Sequence, residues 1–211
     1  MNKVILASSS PRRAEVLRNA GIEFEVRPAD IDETRRPGEH ASDYVQRLAL
    51  EKARAAVNSK TSADNFIAIG ADTVVVNREE ILLKPNSAAD ARRMLRQLSG
   101  DVHEVHTGLA VIHMPQKVER VFEEVTSVHF ASLSNAEIDS YIATGEPFDK
   151  AGAYGIQSLG GRYVTRVEGC YFNVTGMPLA RLWATLKELG WSASGPSSMD
   201  PRPIDGRPMD R

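Results

Sequence analysis

The chain has 211 residues, with 26 Lys and Arg against 28 Asp and Glu and a formal net charge of −2. That length gives one large domain or two small lobes, and the balanced charge supplies no broad basic field, which argues against duplex nucleic acid as a partner. The single cysteine, Cys170, excludes an intramolecular disulfide and fits a reducing cytoplasm; no apolar run reaches the roughly 20 residues that span a bilayer, and with a strand pattern at the start of the sequence no cleavable signal is expected.

Residues 3–7 read as a buried strand. The hydroxyl-rich turn Ser8-Ser9-Ser10 follows, with Ser10 at an N-cap position, Pro11 at the first helical position and Gly21 as the stop. Arg12 and Arg13 stand in the first helical turn, where the dipole disfavours cations. Free N–H groups, hydroxyls and two arginines together point to an anion, with phosphate the expected species. Residues 23–27 read as a half-buried strand, followed by an acidic loop, Asp30-Ile31-Asp32-Glu33. A long helix is expected over 42–58, with Tyr44, Val45, Leu48, Ala49, Ala53 and Ala56 on its apolar side. Lys52 falls near that stripe; Glu51 reads as solvated.

Residues 66–70 read as a buried strand that continues over 73–76. Asp72 interrupts this apolar run, and a carboxylate there is costly unless it binds a metal, pairs with a cation or faces a cleft. A simple turn aspartate between two strands is the rival reading. Lys84, before Pro85, is either a solvated loop lysine or a cleft cation. Ser87 caps a helix to 98, stopped by Gly100. Residues 102–114 and 119–131 alternate as an antiparallel pair. Ser134 and Glu137 form a capping box for a helix to 144. Residues 152–161 form a Gly-rich turn region, and 177–190 the last helix. Gln157, after a glycine, could read a base edge, although a tight turn would look similar. His103 and His106 fall on opposite faces of a strand, which argues against a zinc site. Cys170 reads as a packed or partly exposed thiol. The expected fold is α/β: a long twisted mixed sheet with helices on both sides. Residues 192–211, with four prolines and two glycines, are expected to be a flexible tail.

Five segments in this order resemble the Maf-like nucleotide pyrophosphatase family. They are Leu6-Ala7-Ser8-Ser9-Ser10-Pro11-Arg12-Arg13, Gly70-Ala71-Asp72-Thr73-Val74-Val75, Leu83-Lys84-Pro85, the stretch from Asp149 to Gln157, and Asn173-Val174-Thr175-Gly176-Met177-Pro178-Leu179. The likeness covers residues 4–189, so a single domain over 1–191 is expected. It implies two lobes around a deep cleft, cleavage of a nucleoside triphosphate between its α and β phosphates, a divalent cation (Mg²⁺ or Mn²⁺), and commonly a homodimer. On this likeness Asp72 matches the catalytic carboxylate that accepts a proton. Ser8, Arg13, Glu33, Lys52 and Lys84 match positions lining the phosphate and metal end, with Glu33 and Asp72 the metal ligands. Arg12, Thr73 and Gln157 match the branch acting on dTTP and UTP. The 7-methyl-GTP branch tends to carry an aromatic at position 12 and Gln at position 73. Thr175 departs from the Val of many relatives. The alternatives are 7-methyl-GTP as substrate, or a nucleotide-binding regulator of septum formation with little turnover.

Overall fold

The computed structural model describes residues 3–58 and 65–192. The elements are β1 (Lys3–Leu6), α1 (Pro11–Asn19), β2 (Phe24–Val26), α2 (Ala41–Asn58), β3 (Phe66–Asn77), β4 (Glu80–Leu82), α3 (Ala88–Leu98), β5 (Val102–Met114), β6 (Val118–Phe130), α4 (Asn135–Ala143), β7 (Val164–Glu168), α5 (Tyr171–Val174) and α6 (Leu179–Glu188). Three short 3₁₀ turns, Glu146–Asp149, Ala151–Ala153 and Leu159–Tyr163, connect α4 to β7. The strands form one mixed sheet in the order β2-β1-β3-β5-β6-β7, with β4 attached to β3. β1 runs parallel to β2 and β3; the other pairs are antiparallel.

Period-2 alternation divides the core between the two faces of the sheet. Val4, Leu6, Ile67, Ile69 and Ala71 pack with Leu17 of α1 and Leu182 and Leu186 of α6. Ile5, Phe66 and Ala68 pack with Ala49 and Ala53 of α2. A further core joins α3 and α4 to Val75, Val105, Val128 and Phe130. Helices therefore cover both faces.

Two features of β3 place the site. First, α2 lies almost directly on the sheet. A Cβ on Gly70 would meet the Ala49 carbonyl oxygen at 2.0 Å, and one on Gly108 the Val45 carbonyl oxygen at 2.1 Å. Gly108 is the cross-strand partner of Asp72, so the helix descends beside that carboxylate. Second, β5 occupies one edge of β3 from Phe66 to Val76, so β1 and β4 must share the other. β1 pairs only as far as Leu6 with Ile69, and β4 starts at Leu82 with Val75. Residues 70–74 have no strand on that edge, and a cleft opens there.

Several local expectations are corrected. β3 is one unbroken strand of 12 residues through Asp72, so Asp72 is not a turn residue. Ser10 occupies the N-cap of α1 without a side-chain cap bond, and its own N–H donates to Ser8 Oγ at 3.2 Å. α6 starts at Leu179, after Pro178 at its N-cap, not at Met177. β2 is shorter than expected, and β4, β7 and α5, of three, five and four residues, are additional. The Ser134–Glu137 capping box and the Ser87 cap are present as expected. The expected tail lies, beyond Ser192, outside the described residues. Among the described residues no helix is long and apolar enough to cross a membrane.

Gly108→Ala is expected to push α2 off the sheet and destabilise the chain by about 3 kcal/mol. Urea unfolding measures this, and an unchanged midpoint would contradict the close approach.

Candidate active site

The apolar stripe of α2 contains one charged residue. Lys52 is buried with Tyr44, Val45, Leu48, Ala49, Ala53 and Ala56. Its Nζ lies 2.7 Å from Asp72 Oδ1 and 2.7 Å from Glu33 Oε1. The ammonium thus joins a strand carboxylate to a loop carboxylate. Burial alone would raise the Glu33 pKa, but the Lys52 hydrogen bond and charge, helped by Lys84 and Arg13, hold it below the usual range. The Tyr44 hydroxyl donates to the Glu33 carbonyl at 2.9 Å and so fixes the loop. Burial first, then the Asp72 and Glu33 charges, push the Tyr44 pKa up to about 12. Asp32 instead accepts from Thr34 N within its own loop.

Arg13 is held differently. Its Nε donates to the Gly176 carbonyl at 2.9 Å, Nη1 to Ser8 Oγ at 3.0 Å and Nη2 to Thr73 Oγ1 at 3.1 Å. All three partners are neutral. Two of the five guanidinium N–H groups remain for a ligand. Burial lowers the Arg13 pKa, and the Asp72 charge opposes that shift. Ser8 Oγ accepts from both Arg13 and Ser10 N, which leaves its proton to donate. Thr107 Oγ1 donates to the Asn173 carbonyl at 3.1 Å, so at 3.0 Å it accepts from Thr73. The Thr73 hydroxyl is therefore committed to Arg13 and Thr107; it is not open to a base edge.

Across the cleft, Arg12 Nη1 donates to Asp149 Oδ2 at 2.8 Å and Nη2 to the Asp149 carbonyl at 3.2 Å. Lys150 Nζ donates to Asp149 Oδ1 at 2.6 Å. Lys84 is exposed and makes no hydrogen bond or ion pair among the described residues, although its charge acts on Glu33. The cleft encloses about 610 Å³, and Ser8, Arg12, Arg13, Glu33, Lys52, Asp72, Thr73, Lys84 and Gln157 all line it. Tyr44, Asp149 and Lys150 line it too. Asp149 and Lys150 stood in a recognised segment without an assigned role, and Tyr44 looked like ordinary core. Among the described residues no group of three His, Cys, Asp or Glu could by itself hold a metal ion.

A family model described as "Maf-like protein" matches residues 3–189. The chain belongs to the Maf family. It is 49% identical to the dTTP/UTP pyrophosphatase of Koribacter versatilis, over 89% of this chain and 94% of that protein. It is 48% identical to the dTTP/UTP pyrophosphatase of an Anaeromyxobacter species, over 92% and 94%. Among solved structures, the HAM1 protein of Coxiella burnetii is similar over 89% of this chain and 100% of that one, with 16% identity and a TM-score of 0.47.

Tyr154, which lines the cleft of this Maf protein, pairs through its Oη with His103 Nε2 at 2.8 Å. The His103 ring packs edge-on against Phe130 and Tyr154. His106, on the other face of β5, pairs with Glu123 and Glu104. Burial depresses the His103 pKa to about 4. The unfolded state, with a His value near 6.5, then binds the extra proton first. The contribution of His103 is complete above about pH 6.5 and is lost as pH falls through about 4, a swing of roughly 3 kcal/mol. His103→Phe should flatten the stability profile between those limits in urea titrations; an unaltered slope would assign the acid sensitivity elsewhere.

Proposed function

We propose that this Maf protein is a nucleoside triphosphate pyrophosphatase that cleaves dTTP and UTP to the monophosphate and pyrophosphate. One observation carries the reading. The cleft is lined by five cations, Arg12, Arg13, Lys52, Lys84 and Lys150, against three carboxylates, Glu33, Asp72 and Asp149, in a chain of net charge −2. Such a cleft selects a polyanion. The names of the relatives supply the bases, and Arg12, Thr73 and Gln157 agree with that branch.

The residues divide the work by chemistry. The Ser8 hydroxyl and the two spare Arg13 N–H groups donate to phosphate oxygens. Water attacks the α-phosphorus, the bridging P–O bond breaks, and pyrophosphate leaves with the electron pair. Asp72 takes the proton from the water, and Lys52 and Lys84 offset the charge that grows on the leaving group. Positioning and fixed charge do most of this chemistry.

The donor set suits a divalent cation. One oxygen of Asp72 and one of Glu33 face Lys52, and the second oxygen of each takes no hydrogen bond among the described residues. Magnesium is commonly bound by one or two carboxylates together with substrate phosphates and water. Asp72 and Glu33 would hold Mg²⁺ or Mn²⁺, which when bound neutralises phosphate charge and makes the bound water more acidic.

A panel of triphosphates assayed for pyrophosphate release tests the reading. Turnover of dTTP and UTP is expected to exceed that of the purine nucleotides. Preference for 7-methyl-GTP, or binding without any turnover, would overturn it. Asp72→Asn should lower kcat by about 100-fold or more. Chelation should abolish turnover, and Mg²⁺ or Mn²⁺ should restore it; activity that survives chelation would remove the cation.

A further inference from the structure

Glu146 does not line the cleft, yet its carboxylate gathers four donors. Oε1 accepts from Tyr141 Oη at 2.8 Å, Ser158 Oγ at 2.7 Å and Gly160 N at 3.2 Å. Oε2 accepts from Leu159 N at 3.1 Å. Tyr141 Oη gives its proton to Glu146 and accepts from Gly155 N at 3.2 Å. These bonds bracket Gly155-Ile156-Gln157. Tyr141 holds the first residue, and Glu146 holds the three that follow Gln157. Between the brackets all three residues line the cleft. Gln157 is exposed, and its side-chain amide has no partner among the described residues.

The bracketed turn also has no slack. A Cβ on Gly160 would lie 2.6 Å from Tyr141 Oη and 2.9 Å from Gly155 N. One on Gly161 would lie 2.3 Å from the Ile156 carbonyl oxygen. Burial by itself would raise the Glu146 pKa. The donors Ser158, Tyr141, Gly160 and Leu159 together hold it below the usual carboxylate range.

We infer that Glu146 is a specificity-determining positioning residue, whose carboxylate sets the Gly155–Gln157 segment against the nucleobase. The inference rests on the proposed nucleoside triphosphate substrate, and adds that its base lies at Gln157, the exposed cleft residue whose side-chain amide has no partner among the described residues. Two amide N–H groups and two hydroxyls all donate to this one side chain. Only an acceptor without protons satisfies them together. A glutamine of the same shape would turn an NH₂ group toward at least one N–H donor. The same segment has a second tether, since Lys150 Nζ donates to the Glu146 carbonyl at 2.8 Å and Arg12 grips Asp149. Arg12 thereby bears on base choice through the loop it holds.

The test compares wild type, Glu146→Gln, Tyr141→Phe and Ser158→Ala on dTTP, UTP, dCTP, dGTP and 7-methyl-GTP. Glu146→Gln should reduce the preference for the best over the poorest nucleotide by about tenfold, through KM and with kcat little changed. Inhibition by inorganic pyrophosphate, which probes only the phosphate end, should stay within about twofold of wild type, whereas general disorder would weaken both ends. An unchanged preference, or equal losses on every nucleotide and on pyrophosphate, would overturn the inference. Should Glu146→Gln fail to fold, Ser158→Ala and Tyr141→Phe decide by the same criteria. A wild type that prefers another base defeats the dTTP/UTP reading alone, because the ratio between variant and wild type still decides the role of Glu146. If the wild type turns nothing over, equilibrium binding of the same nucleotides supplies the ratio.

Discussion

The site depends on a helix backbone resting on a sheet backbone. Gly70 and Gly108 remove the side chains that would hold α2 away, and Ala49 and Ala53 complete the contact. Only at that spacing does a lysine near the apolar stripe reach a carboxylate pointing out of β3. The Lys52–Asp72 ion pair is therefore a product of core packing more than of surface charge. A buried pair of this kind adds little net stability, since removing both ions from water offsets most of their attraction. Its value lies in fixing a cation and an anion in a water-poor place, where each acts strongly on a third charge.

Buried Lys52 and half-buried Arg13 are treated in opposite ways. Lys52 faces two carboxylates, whereas Arg13 faces a carbonyl and two hydroxyls. Neutral partners orient a guanidinium without cancelling its charge. Among the described residues no carboxylate touches Arg13, although Asp72 and Glu33 act on it at a distance, so its charge is less balanced than that of Lys52 when an anion arrives. The path from Arg13 through Thr73 and Thr107 to the Asn173 carbonyl runs in one direction, each hydroxyl having a single proton to give. The arginine is thereby locked to α5 and to Gly176 just beyond it.

What the sequence made legible were the anomalies. Asp72 stood out as a carboxylate inside an apolar run, Lys52 as a charge near an apolar stripe, and Arg12 and Arg13 as cations at the wrong end of a helix. Each breaks a local rule, and each lines the cleft. Residues that obey local rules stayed hidden. Thr107 is an ordinary strand threonine, Tyr44 an ordinary core aromatic, and Glu146 an ordinary loop acid until the chain folds back on it. The strands β4 and β7 were missed because short segments acquire strand geometry from their partners rather than from their own pattern. The Ser10 cap position was legible, but its hydroxyl makes no cap bond.

The interruption along one edge of β3 has a bearing on solubility. An open strand edge is a template on which another chain can add a strand. Here the break spans residues 70–74, between the last pairing of β1 and the first pairing of β4. Strands already occupy both ends of it, and charged loops wall it in. A foreign strand would have to enter a short slot lined with fixed charge. The gap at the centre of the sheet is a short slot, with paired strand on either side and charged side chains around it, and so offers little edge on which a further strand could add.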